Sequence, residues 1–87
     1  MFKVVFTKLA HKQFSKLPQN LKLLATKSIN KLSTHPKIGK PLRGKLKGFY
    51  KLRFSRYRII YQIKHKILTI IIFEIGHRKD VYKKFNY

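Results

Sequence analysis

The chain has no cysteine, which excludes disulfides and thiolate metal sites. Its only acidic residues are Glu74 and Asp80, set against 22 Lys and Arg. A metal-dependent nuclease needs clustered carboxylates to hold its cation, and a glycosidase needs a carboxylate pair across the scissile bond. Two acids six residues apart suit neither. His11, His35, His65 and His77 show no metal-ligand spacing, and nothing suggests a Ser or Cys triad. The expectation is therefore no cofactor and no metal. No apolar run is long enough to enter a bilayer, and the opening MFKVVFTKLAHK is too briefly apolar for a signal peptide. That predicts a cytoplasmic, unprocessed protein with no membrane partner. There is no Walker pattern, internal repeat, linker or low-complexity segment.

What is present is positive charge, a formal net +20 on 87 residues. Basic residues occur in every segment, so the charge belongs to the fold and not to an appended tail. A field of this sign attracts polyanions, nucleic acid first and an acidic protein second. A hydrophobic fraction of 44% argues against disorder. Residues 1–87 are expected to form a single domain with a modest core.

The chain begins with FKVVF (Phe2–Phe6), a short strand. Thr7 suits the cap of a helix from Lys8 to about Lys16, with Leu9, Ala10, Phe14 and Leu17 toward the core. Pro18 suits the first position of a second helix. There Leu21, Leu24, Ala25, Ser28, Ile29 and Leu32 follow the i, i+3, i+4, i+7 pattern. That helix ends by His35, ahead of Pro36. THPKIGKPLRGKLKG (residues 34–48) reads as a loop rich in Gly, Pro and Lys. It carries Lys37, Lys40, Arg43, Lys45 and Lys47, whose side chains could hold a phosphate, Arg43, Lys45 and Lys47 being the candidate contacts; it reads equally as a plain basic crossover. Three strands follow, Phe49–Phe54, Tyr57–Ile63 and Ile67–Ile75. The last is nearly all apolar and so is central. The order β-α-α-β-β-β predicts an α+β fold, a mostly antiparallel sheet with two helices packed on one face.

A turn at Ser55-Arg56 pairs residues whose numbers sum to 111. Tyr50, Leu52, Phe54, Tyr57, Ile59 and Tyr61 then share one apolar face, so Tyr57 and Tyr61 are core. Lys51, Arg53 and Arg58 share the other face, with Arg53 directly opposite Arg58. Like charges so placed destabilise a hairpin, which suggests an anion between them.

The composition leaves metal-free chemistry on phosphate, with the RNA 2′-hydroxyl as nucleophile. Arginines suit stabilisation of the extra charge on phosphorus. Neighbouring Arg53 and Arg58 would favour the neutral, proton-accepting form of Lys51. His77 is an acid or base candidate, and Tyr82 can stack on a base or orient a phosphate. The lesser alternative takes Arg53 and Arg58 as plain phosphate anchors.

The KLP break between the helices, HPKIGKPLRGKLKG, YKLRFSRYRIIYQI and IIFEIGHRKDVY, taken in this order, resemble the RelE/ParE toxin superfamily. RelE-like members are metal-independent endoribonucleases that cut mRNA in the ribosomal A site and are neutralised by an acidic cognate antitoxin. The resemblance thus implies as partners the ribosome with its mRNA and rRNA, and an antitoxin. By position, Lys51 resembles the general base, Arg58 the residue that stabilises the transition-state phosphate, Arg78 the general acid, and Tyr82 the tail tyrosine that holds substrate. Arg53 lies in the matching strand. ParE-like members share the scaffold but inhibit DNA gyrase. A non-catalytic RNA-binding protein would share the charge without the converging Lys-Arg-Arg-Tyr set.

Overall fold

The computed structural model describes residues 1–77. The chain folds as β1 (Lys3–Phe6), α1 (Lys8–Ser15), α2 (Gln19–Thr34), β2 (Lys40–Pro41), β3 (Phe49–Phe54), β4 (Tyr57–Lys64) and β5 (Thr69–His77). The strands form one sheet in the order β1-β5-β4-β3-β2. β1 runs parallel to β5, and every other pairing is antiparallel. This is the expected α+β arrangement with one strand added. β2 is a two-residue edge strand inside the predicted loop, where Lys40 pairs with Lys51 and Pro41 with Tyr50. Proline is tolerated there because the edge of a sheet does not require its missing N–H.

Thr7 caps α1 as predicted, its hydroxyl oxygen accepting from the Ala10 N–H at 3.2 Å. The same hydroxyl donates to the Phe73 carbonyl at 3.1 Å, tying the helix start to β5. β1 ends at Phe6 while β5 continues to His77, so the upper part of β5 lacks a strand on that side. Gln13 of α1 serves instead. Its amide oxygen accepts from the Ile75 N–H, and its amide nitrogen donates to the buried Glu74 carboxylate, both at 2.7 Å. Pro18 stands at the N-cap of α2, one position before the one expected.

The core lies between the helices and one sheet face. Ala10, Leu17, Ala25, Ile29 and Leu32 meet Phe54, Ile59, Tyr61, Ile70, Ile72 and Ile75 there. Leu9 and Leu24, expected inside, are 39% and 42% exposed. Each adjoins a buried alanine, and one residue along a helix is a rotation of about 100°. The contact line is thus narrower than the apolar stripe. β5 begins at Thr69, two residues later than expected, because His65–Ile67 makes a 3-10 turn and Leu68 takes a left-handed φ of 47°. A bulge between Ile60 and Tyr61 leaves Phe73 without a direct partner. It switches the parity of β5, so that Ile70, Ile72 and Ile75 all reach the core.

Candidate functional site

The hairpin register is the one the alternation predicts. Phe49 pairs with Gln62, Tyr50 with Tyr61, Lys51 with Ile60, Leu52 with Ile59, Arg53 with Arg58 and Phe54 with Tyr57. Directly opposed residues share a face. Tyr50, Leu52, Phe54, Tyr57, Ile59 and Tyr61 therefore join the helices, while Lys51, Arg53 and Arg58 point to the other side. Those three cations line a single cavity of about 290 Å³, together with Ile38, Gly39 and Lys40. Behind them Ile60 packs with Leu42, Leu46 and Phe49 in a small second apolar cluster.

Arg58 is 6% exposed. Its recorded side-chain hydrogen bond is one from Nη1 to the Tyr57 carbonyl at 3.3 Å. No carboxylate pairs with it among the described residues. Burying a guanidinium without a counter-ion is costly, and a guanidinium keeps its charge. A bound anion would remove that cost. Arg53, opposite it, is exposed and bonds through Nε to the Ser55 carbonyl at 3.4 Å.

The wall of the cavity is fixed from inside. The Tyr61 side chain is fully buried. Its hydroxyl donates to the Pro36 carbonyl at 2.7 Å and accepts from the Gly39 N–H at 3.1 Å. Burial pushes its phenol up from the ordinary 10.0 to about 12, although the bond from Gly39 works the other way. Gly39 is needed because of this close approach. A Cβ there would run into the Tyr61 hydroxyl and stand 2.7 Å from the Lys51 carbonyl oxygen.

Not every predicted site residue joins this cavity. His77 is in register with Tyr57 and touches its ring edge-on at 5.8 Å, so it lies on the helix-side face, away from Lys51, Arg53 and Arg58. Arg58 instead faces Gly76 across the strands. Arg43, Lys45 and Lys47 are exposed around a 3-10 turn at Gly44–Leu46 and do not line the cavity. Arg78 and Tyr82 lie outside the described residues. Lys40, which does line the cavity, was one lysine among several in a segment without periodicity. The signal that singles it out is the β2–β3 pairing, and a two-residue strand leaves no pattern in a sequence. Among the described residues no group of three or more His, Cys, Asp or Glu could hold a metal ion, and no helix is long and apolar enough to cross a membrane.

Two helices over one face of this five-stranded sheet, with cations on the other, define the RelE-like α+β fold. A chain of the RelBE2 toxin–antitoxin complex from Mycobacterium tuberculosis superposes with a TM-score of 0.79 at 33% identity, covering 88% of this chain and 98% of that one. The isolated E. coli RelE toxin superposes at 0.80 and 24% identity, covering 99% and 96%. In sequence, Toxin RelG of Mycobacterium tuberculosis is 33% identical over 85 residues, 95% of this chain and 98% of the relative. The profile of the family described as "ParE toxin of type II toxin-antitoxin system, parDE" matches residues 4–82. The chain belongs to the RelE/ParE superfamily of toxins of type II toxin–antitoxin systems.

Proposed function

We propose that this toxin is an endoribonuclease that cuts mRNA in the ribosomal A site without metal, and that an acidic antitoxin neutralises it. The observation that carries this reading is the buried Arg58, with no carboxylate partner among the described residues, facing one cavity with Lys51 and Arg53. The RNA 2′-hydroxyl attacks the adjacent phosphorus, and its proton passes to the Lys51 amine. Arg58, with Arg53 beside it, stabilises the charge that builds on the phosphoryl oxygens. The 5′-oxygen leaves and takes a proton, from Arg78 by the family resemblance, while Tyr82 holds the substrate. The products are a 2′,3′-cyclic phosphate and a 5′-hydroxyl. A site without a strong conventional base gains most when the ribosome holds the RNA in attack geometry, an alignment that supplies roughly 7–11 kcal/mol of the barrier.

The antitoxin reading is supported by the net charge and by relatives solved as toxin–antitoxin complexes. Association should slow as salt rises, and a rate indifferent to salt would count against electrostatic steering.

The description of the matching family favours a second reading, ParE-like inhibition of DNA gyrase. One experiment separates the two. After induction, mRNA 5′ ends and DNA supercoiling are measured in the same cells, and the purified chain is added to intact ribosomes with and without EDTA. Codon-spaced 5′-hydroxyl ends, unaffected by EDTA at the chemical step, support the ribonuclease. Trapped gyrase with intact mRNA supports the other reading. Equal cutting of free and ribosome-bound RNA would refute the positioning argument.

A further inference from the structure

We propose that Lys40 binds a second phosphate at this site, next to the one under attack, and that the buried Tyr61 positions it. The proposal deepens the ribonuclease reading and rests on it. Two cation pairs stand side by side on the open face, Arg53 opposite Arg58 and Lys51 opposite Lys40. Lys51 and Arg53 are two residues apart on one strand, about 6.6 Å. The cations thus form two levels along β3 and not one point. Two levels can take successive phosphates of one extended RNA strand, while Lys51 between them reaches the reacting 2′-hydroxyl. The Arg53–Arg58 level, with the buried guanidinium, takes the phosphate under attack. The Lys40 level takes its neighbour.

A lysine on a glycine- and proline-rich loop would ordinarily sweep a wide volume, and its rotamer freedom would be lost on binding. Here the backbone that carries it is held on both sides. Lys40 itself is paired to β3. The preceding Gly39 gives its N–H to the Tyr61 hydroxyl, which in turn bonds to the Pro36 carbonyl. Tyr61 touches no substrate. It acts by fixing the strand from which Lys40 reaches the cavity, and the bare Cα of Gly39 permits the approach.

The test uses the full chain with two probes. A 2′-O-methyl RNA hexamer, which cannot be cut, reports binding, and ribosome-bound mRNA reports cleavage. Lys40→Gln is expected to weaken hexamer binding about three- to fivefold at low salt. It should also reduce the magnitude of the log–log salt slope by about 0.7, the value for one phosphate contact on a single strand. Lys40→Arg keeps the charge and should restore the slope. Tyr61→Phe should reduce the slope in the native background and add nothing in the Lys40→Gln background. A purely structural Tyr61 would shift the melting temperature and leave the slope alone. If Lys40→Gln binds and cuts like the unsubstituted chain, the Lys40 assignment is overturned and the ribonuclease reading stands. If the unsubstituted chain neither binds the hexamer nor cuts ribosome-bound mRNA, both fall. If Lys40→Gln slows only the capture of an acidic antitoxin peptide, the surface serves a protein and the proposal is overturned.

Discussion

The two faces of the β3–β4 hairpin are built from alternate residues of the same fourteen-residue stretch, 49–62, yet they obey opposite rules. On the helix side, aromatic and aliphatic residues are opposed in pairs that attract. Tyr50 stacks on Tyr61 at 5.4 Å and Phe54 on Tyr57 at 5.6 Å. On the open side, arginine opposes arginine and, at the edge, lysine opposes lysine. The first face lowers the free energy of the fold, and the second raises it. Lys51, Arg53 and Arg58 each sit between two inward neighbours that cannot move without damaging the core. Packing on one face therefore holds charge on the other in an arrangement that the charges alone would not adopt.

Substitutions that act on one face only should separate these roles. The largest expected effect is Arg58→Ala, a loss of about 10²–10³-fold in mRNA cleavage on ribosomes, the usual cost of deleting one transition-state charge stabiliser. Its melting temperature should not fall, since the substitution removes a buried cation that has no carboxylate partner among the described residues. A large drop in stability with cleavage retained would invert the assignment. The converse is Ile59→Ala, one residue along and facing the core. It should cost about 2–5 kcal/mol of unfolding free energy in urea while cleavage by the fraction still folded is unchanged.

Tyr61 touches both sides of the comparison. Tyr61→Phe should cost about 1–3 kcal/mol, because the Gly39 N–H and Pro36 carbonyl lose their partner. It also gives a pH signature. The folded phenol is raised from 10.0 to about 12, so its contribution is complete below pH 10 and is lost as pH climbs to about 12. The stability difference between the native chain and Tyr61→Phe should shrink across that window and stay constant below it. The smallest effect is Arg53→Gln, which relieves an opposed like-charge pair. It should raise stability by roughly 0.2–1 kcal/mol and lower RNA affinity, and a loss of stability would mean that Arg53 is held by more than the Ser55 carbonyl.

The same comparison explains what the sequence disclosed. The hairpin register was legible because a one-residue slip would have put Arg53 and Arg58 into the core. Lys51, Arg53 and Arg58 were thereby assigned to one face correctly. The interior place of β5 followed from its nearly continuous apolar run. Helix existence was legible, but helix rotation was not, since Leu9 and Leu24 lie on the margin of a stripe whose width the sequence does not state. β2 was hidden because two residues, one of them proline, have no periodicity. Lys40 was one of five cations in the loop of residues 34–48, with nothing to single it out. The separation of His77 from Arg58 depends on which residue of β5 faces which residue of β4, and that register is set by spatial pairing across a bulge.

The parallel pairing of β1 with β5 has a consequence in time. Lys3 is made well before its partner Thr69, and Phe6 waits for Ile72. The sheet cannot close until a loop of more than sixty residues has been synthesised, the kind of non-local contact that slows folding. β5, an interior strand, is also the last of the described strands to be made, and it supplies Ile70, Ile72 and Ile75 to the core beneath the cation face. A nascent chain therefore carries Lys51, Arg53 and Arg58 for some time before it has the interior that fixes them. A product that stalls or is truncated ahead of Thr69 should be harmless to the cell that makes it.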